Sequence, residues 1–141
     1  MAFMEWLPEH SVGVAVFDDE HKKMIAIVNR LYDCIAAGAG KDTLKTVTED
    51  LIEYAVMHFR HEEMYFHDWD YPLAEEHAAL HREMRQQVFK FRAEVDERNA
   101  GDLALEMLHF LRGWITQHIM VDDKKYGAFL VQKGLRSGGE L

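Results

Sequence analysis

Polarity along the chain divides it into an opening stretch without period and four long segments in which apolar residues return at steps of three and four. In the first segment Met24, Ile25, Val28, Leu31, Tyr32 and Ile35 share a stripe. It predicts a helix opening at Asp18 or Asp19, whose short carboxylates suit an N-cap, and running toward Ala37. Gly38 to Gly40 stop it. Leu44, Val47, Leu51 and Tyr54 predict a second helix from near Asp42 to about His67. Pro72 suits the first turn of a third, which carries Leu73, Leu80, Met84, Val88, Phe91 and Val95 inward and ends near Asn99 to Gly101. Asp102 can cap a fourth, lining up Met107, Leu111 and Trp114 and reaching roughly to Tyr126. Residues 1–17, with Pro8 and Gly13, read as an irregular N-terminal arm, and 127–141 as a short tail. No strand pattern competes. Short connections leave adjacent helices little choice but to pack antiparallel, so the expected fold is all-α: an up-down-up-down four-helix bundle spanning 18–126.

At 141 residues one domain covering 1–141 is expected, and 48% hydrophobic content with two prolines gives it a core to bury. Sixteen basic against 25 acidic residues leave −9 at neutral pH with no local basic patch, so neither nucleic acid nor an anionic membrane surface is an expected partner. No run of 18 apolar residues and no basic leader before an apolar stretch occur, which disfavours membrane insertion and secretion. A single cysteine, Cys34, excludes a disulfide framework, a Cys-rich zinc site and an iron–sulfur cluster, and points to a cytoplasmic setting. Cys34 lies off the core stripe and reads as a bystander thiol. The polar outer faces show no seam, so a monomer is the default, and the eight methionines read as core filler.

Nine histidines disturb this plain picture. Extending each apolar stripe at about 100° per residue carries it onto His21 in helix one, His58 and Glu62 in helix two, His77 and His81 in helix three, and His118 in helix four. At about 1.5 Å per residue, His21 lies about 5 Å inside its helix start, and His58 and Glu62 roughly 14 and 8 Å before their helix end. His77 and His81 lie roughly 8 and 14 Å past the start of helix three, and His118 about 12 Å before the end of helix four. In an antiparallel bundle those four ends coincide. A lone core histidine is more often a hydrogen-bonded structural residue than a ligand. Coincidence on four helices favours metal, which relieves the cost of burying unpaired polar groups. His67 and His109 fall opposite the stripe and read as solvated, while His10 sits in the arm. His61, to the side of the stripe beside Glu62, reads as a surface residue, with support of a ligand as the other reading.

Five imidazoles and one or two carboxylates exceed a tetrahedral zinc site, whereas two metals bridged by carboxylates use them all. Ligand chemistry alone leaves iron, copper, nickel and zinc open. The ferritin-like dinuclear class needs two ExxH motifs, and this chain has only Glu106 to His109, on the wrong face.

The motifs DDEH at 18–21, HFRHEE at 58–63, HAALH at 77–81 and HIMVDDKKYG at 118–127, in that order, resemble the hemerythrin family, in particular its bacterial single-domain members. The likeness runs from MEW at 4–6 to YG at 126–127. It implies two non-haem iron ions joined by an oxo or hydroxo bridge. His77, His81 and His118 would hold one iron, His21 and His58 the other, and Glu62 and Asp123 would bridge them. It further implies reversible dioxygen binding, with oxygen held as hydroperoxide on the five-coordinate iron, in an oxygen carrier or store rather than an enzyme. A di-iron enzyme or sensor handling peroxide or nitric oxide is the alternative, and an oxygen-consuming enzyme is a conceivable recipient. Phe59, Trp114, Ile115 and Ile119 are the expected apolar wall of the oxygen pocket, although ordinary bundle packing would place them similarly. One tension is visible beforehand. An unbroken α-helix puts Asp122, not Asp123, on the face of His118, so family spacing requires the helix to be distorted or to end there.

Overall fold

The computed structural model describes residues 3–134, apart from the side chain of Met120. A 3₁₀ turn, Pro8–His10, lies in the arm. Then come α1 (Ala15–Ala36), α2 (Lys41–Asp68), α3 (Ala74–Glu94) and α4 (Ala100–Gln117), a π-helical turn (His118–Asp123) and α5 (Lys124–Gln132). Helices α1 to α4 pack around a common axis, each against the next and α4 back against α1, as a four-helix bundle. Among the described residues no helix is long and apolar enough to cross a membrane.

Several element ends depart from the sequence expectation. First, α1 opens at Ala15, not at Asp18 or Asp19, because Val14 and Phe17 are drawn into the interior. Asp18 caps no helix; its carboxylate accepts the Val12 N–H at 2.8 Å and the Ser11 hydroxyl at 2.6 Å, tying the arm down. Second, α3 starts at Ala74, beyond Pro72. Asp70 adopts the left-handed conformation (φ 52°) and Tyr71 N–H closes back on the Phe66 carbonyl, so α2 ends with Tyr71 turned inward and Leu73 exposed. α3 stops at Glu94, short of Asn99. Third, Asn99, rather than Asp102, caps α4: its side chain accepts the Asp102 N–H at 3.0 Å. Fourth, the helical path continues through Tyr126 to Gln132, so the first residues of the expected tail are α5; residues 135–141 of that tail lie outside the described residues.

Two apolar clusters fill the bundle. The larger runs through its body, from Met24, Val28 and Leu31 across Leu44, Leu51, Met84, Val88 and Phe91 to Leu103, Met107 and Leu111. Cys34 packs at its margin. The smaller closes one end with Val12, Val14, Phe17, Phe66, Tyr71, Tyr126 and Leu130. The buried histidines and acids come from segments running between the two. Met57 and Met64 are exposed, so the core-filler reading holds for Met24, Met84 and Met107 and not for these two.

The arm lies along the bundle. Met4 and Asn29 exchange two hydrogen bonds, Met4 N–H to the side-chain carbonyl at 2.8 Å and the side-chain amide to the Met4 carbonyl at 2.9 Å. Farther on, the backbone carbonyl of Val12 rests against Gly127, leaving no room for a Cβ. Gly127→Ala is therefore expected to destabilise the fold by about 1–3 kcal/mol through overpacking. Gly113→Ala, on an exposed stretch of α4 with open space around it, should stabilise by about 0.5–1 kcal/mol. Denaturant melts of the two variants should move in opposite directions.

Candidate metal centre

Helices α1, α2 and α3 and the π-helical turn that follows α4 all contribute to one slab of the interior. His58 and Glu62 stand one turn apart on α2, and His77 and His81 one turn apart on α3. His21 comes from α1, and the π-helical turn begins with His118 and ends with Asp123. All seven side chains are buried.

Their donor atoms separate into two groups that share the carboxylates. In one, the Nε2 atoms of His77 and His81 each lie 3.2 Å from Nε2 of His118. Glu62 Oε1 approaches His81 Nε2 to 3.0 Å, and Asp123 Oδ1 lies 2.8 Å from His77 Nε2 and 2.9 Å from His118 Nε2. In the other, Asp123 Oδ2 is 2.9 Å from His21 Nε2, and Glu62 Oε2 is 3.8 Å from His21 Nε2 and 3.6 Å from His58 Nε2. Glu62 thus turns one oxygen to three imidazoles (His77, His81 and His118) and the other to two (His21 and His58), while Asp123 turns one oxygen to His77 and His118 and the other to His21. Within each of the sets Glu62–His77–His81–His118 and His21–His58–Glu62–Asp123, one donor atom per residue lies within 4.8 Å of all the others.

Close as these atoms are, many are not aligned to hydrogen-bond one another: both oxygens of Glu62 and of Asp123, both nitrogens of His21 and Nε2 of His58 have no hydrogen-bond partner. Such buried orphans are rare in folded proteins and call for an ion. Neighbouring ligands about 2.1 Å from one metal stand about 3.0–3.4 Å apart, the spacing of the three-imidazole group. The residues present therefore fit a pair of metal ions.

The π-helical turn resolves the tension between Asp122 and Asp123. A π turn bonds residue i to i+5, so the residue brought under His118 is the fifth one on rather than the fourth. Asp123 is accordingly wholly buried, whereas the Asp122 side chain is 19% exposed and lies 3.7 Å from His118 Nδ1. The helix is distorted but does not end.

Charge settles accordingly. Burial works against charging His21, yet the carboxylates of Asp123 and Glu62 outweigh it and raise the imidazole to about 9. His118 and His81 are raised in the same way, against burial. For Glu62, burial favours the neutral acid but the surrounding imidazoles hold it well below the usual carboxylate range. Asp123 is likewise depressed, against both burial and the neighbouring Glu62 charge. Burial pushes the Tyr126 phenol well above its usual range, and its hydroxyl has no partner.

Three supporting residues escaped the stripe argument. Glu20 faces His58 Nδ1 with one oxygen and His61 Nδ1 with the other, both at 2.6 Å. Glu63 takes the Nδ1 of His81 at 3.0 Å. His61 is therefore not a plain surface residue, though its side chain is 29% exposed. Glu20 and Glu63 sit beside ligand-stripe residues, in DDEH and HFRHEE, and their position next to a histidine or glutamate of the stripe was the available signal. His67 and His109 are exposed, as expected. His10 is half-buried in the arm, its Nδ1 accepting the Leu7 N–H at 2.9 Å.

The four residues expected to wall an oxygen pocket take two different places. Phe59 stacks on His81 (centroids 4.0 Å apart) and Trp114 on His118 (4.2 Å). Ile115 and Ile119, with Ile25, Thr116 and, from the arm, Met4 and His10, line a small cavity of about 20 Å³.

Comparison with known proteins bears on the same residues. The family described as "Hemerythrin HHE cation binding domain" matches 12–130. A bacteriohemerythrin of Pseudomonas aeruginosa is 30% identical over 129 residues, covering 89% of this chain and 80% of its own. One of Methylococcus capsulatus is 31% identical over 138 residues, covering 92% and 98%. A crystal structure of wild-type hemerythrin superposes with a TM-score of 0.81 at 30% identity, again covering 92% of this chain and 98% of the other.

In the metal-free protein the pairing of charged His21 with Asp123 and Glu62 adds to stability. That contribution is complete below the ordinary imidazole value of 6.5 and is lost as pH rises through about 9. The melting temperature of metal-stripped protein should therefore fall from pH 6.5 to 9. It should fall again in acid, as Glu62 and Asp123 are forced to take protons. Metal-loaded protein should be flat over the first window, its ligands already deprotonated. A metal-free melting temperature constant from pH 6.5 to 9 contradicts the assigned charges.

Proposed function

The chain belongs to the hemerythrin family, and on that premise we propose that it binds dioxygen reversibly, as a carrier or store, at a non-haem di-iron centre. His77, His81 and His118 hold one iron, His21 and His58 the other, and Glu62 and Asp123 span both. The observation that carries this reading is the division of the two buried carboxylates between two groups of imidazoles: Glu62 turns one oxygen toward His77, His81 and His118 and the other toward His21 and His58, and Asp123 turns one toward His77 and His118 and the other toward His21. The half with fewer imidazoles is the one with room for a small ligand. The chemistry such a centre supplies is the reversible two-electron reduction of dioxygen.

What the chain must add is dryness and restraint of protons. Ile25, Ile115 and Ile119, close in the chain to His21 and His118, line a small cavity, and a diatomic gas enters such an apolar space without the penalty that water pays. Release of the gas unchanged requires that no nearby group deliver a proton to it. The imidazoles spend their Nε2 atoms on metal. Tyr126, the buried hydroxyl of the end cluster, keeps its proton because burial raises its phenol far above neutrality. Among the described residues no acid aligned to protonate a bound gas is apparent, which supports a carrier over an enzyme that consumes peroxide.

Anaerobically reduced protein with two irons per chain should develop a visible absorption on exposure to air and lose it again under argon, over repeated cycles. A single irreversible change, or turnover of added peroxide, overturns the carrier reading. Iron analysis of point variants tests the ligand set: Asp122→Ala should retain two irons per chain and Asp123→Ala should not.

A further inference from the structure

We propose that Glu20 is a positioning residue for the two-imidazole half of the centre, with His61 locking it in place from the solvent side. The inference rests on the metal-binding reading above and concerns residues outside the ligand set.

The two halves are supported differently. In the two-imidazole half, neither nitrogen of His21 has a hydrogen-bond partner. His58 is the one imidazole there held from behind, through Nδ1 to Glu20 Oε1 at 2.6 Å. A carboxylate at Nδ1 fixes the ring as the Nδ1–H tautomer, aims the Nε2 lone pair at the metal and makes it a stronger donor. Glu20 cannot swing away. Its second oxygen is engaged by His61 Nδ1 at 2.6 Å, and its backbone carbonyl accepts the Tyr54 hydroxyl at 3.0 Å. Phe17 packs against both rings that the carboxylate joins, with centroids 6.2 Å from His58 and 5.1 Å from His61. The Glu20 side chain is only 13% exposed, so the clamp works where water competes little.

The counterpart in the other half is looser. Glu63 reaches His81 Nδ1 at 3.0 Å, is 35% exposed, and also lies 3.8 Å from the Arg85 guanidinium, which draws off part of its charge. That half has three imidazoles to share the work. The half with two leans on a single clamped ring, so removing the charge behind that ring weakens one metal and spares the other.

The test is an anaerobic titration of the metal-stripped full chain with cobalt(II), whose visible absorption reports each ion bound. Wild type should take up two ions in two phases. Glu20→Gln keeps the size and one acceptor oxygen and loses the charge. It should weaken the looser phase about 10–100-fold and leave the tighter one in place. Glu63→Gln should act on the tighter phase, and His61→Gln on the same phase as Glu20→Gln, so that it can stand in if Glu20→Gln fails to fold. A purely structural clamp predicts helix content and both phases falling together. Equal weakening of both phases, or no change in either, overturns the proposal. Fewer than two ions bound by wild type overturns the dinuclear centre itself, and this proposal with it.

Discussion

Two carboxylates sit wholly buried among five buried imidazoles, and nothing else in the bundle imposes so strict a requirement on where its helices lie. Removing a charged group from water costs several kcal/mol unless its partners stand at the right distance and direction. Glu62 and Asp123 satisfy that condition only if α1, α2, α3 and the turn after α4 all approach the same point. Apolar contacts tolerate small slips between helices, whereas a buried carboxylate shared among imidazoles from several segments does not. The body of the bundle is consequently ordinary helix packing, and its register near one end is dictated by the geometry of these buried acids and imidazoles.

Around that point the apolar residues do more than fill space. The two hydrophobic clusters lie on either side of the ligand slab, one in the body of the bundle and one closing its end, so the donors meet in a medium where electrostatic interactions are strong. Aromatic rings also restrain the imidazoles themselves. Phe59 lies flat on His81, Trp114 on His118, and Phe17 touches both His58 and His61, so the imidazoles are held by ring packing as well as by the acids behind them.

Much of this was legible in the chain because two signals are periodic. The apolar stripes on four segments specify the bundle, and the same stripes extended onto His21, His58, Glu62, His77, His81 and His118 specify the slab. Helix ends were read less well, since they are set by particular side chains: the Asp18 carboxylate serves the arm rather than a cap, Asn99 outcompetes Asp102, and Asp70 in the left-handed region postpones α3 past Pro72. Glu20 was invisible to periodicity because it reaches His58 from a neighbouring helix, a contact that exists only after the helices have docked. His61 was misjudged for the same reason. The division of the four pocket residues between ring stacking and a cavity depends on rotamers that no spacing encodes.

The π-helical turn has a mechanical consequence for the last helix. One extra residue in a turn advances everything downstream by roughly 100° about the axis, so Tyr126, Gly127 and Leu130 come to face the interior on a phase offset from Leu111 and Ile115. The same added residue brings Asp123 inward. The seating of α5 against the arm and the reach of this buried acid are therefore one degree of freedom: the closing helix cannot rotate out of its socket without drawing Asp123 away from the imidazoles of His21, His77 and His118.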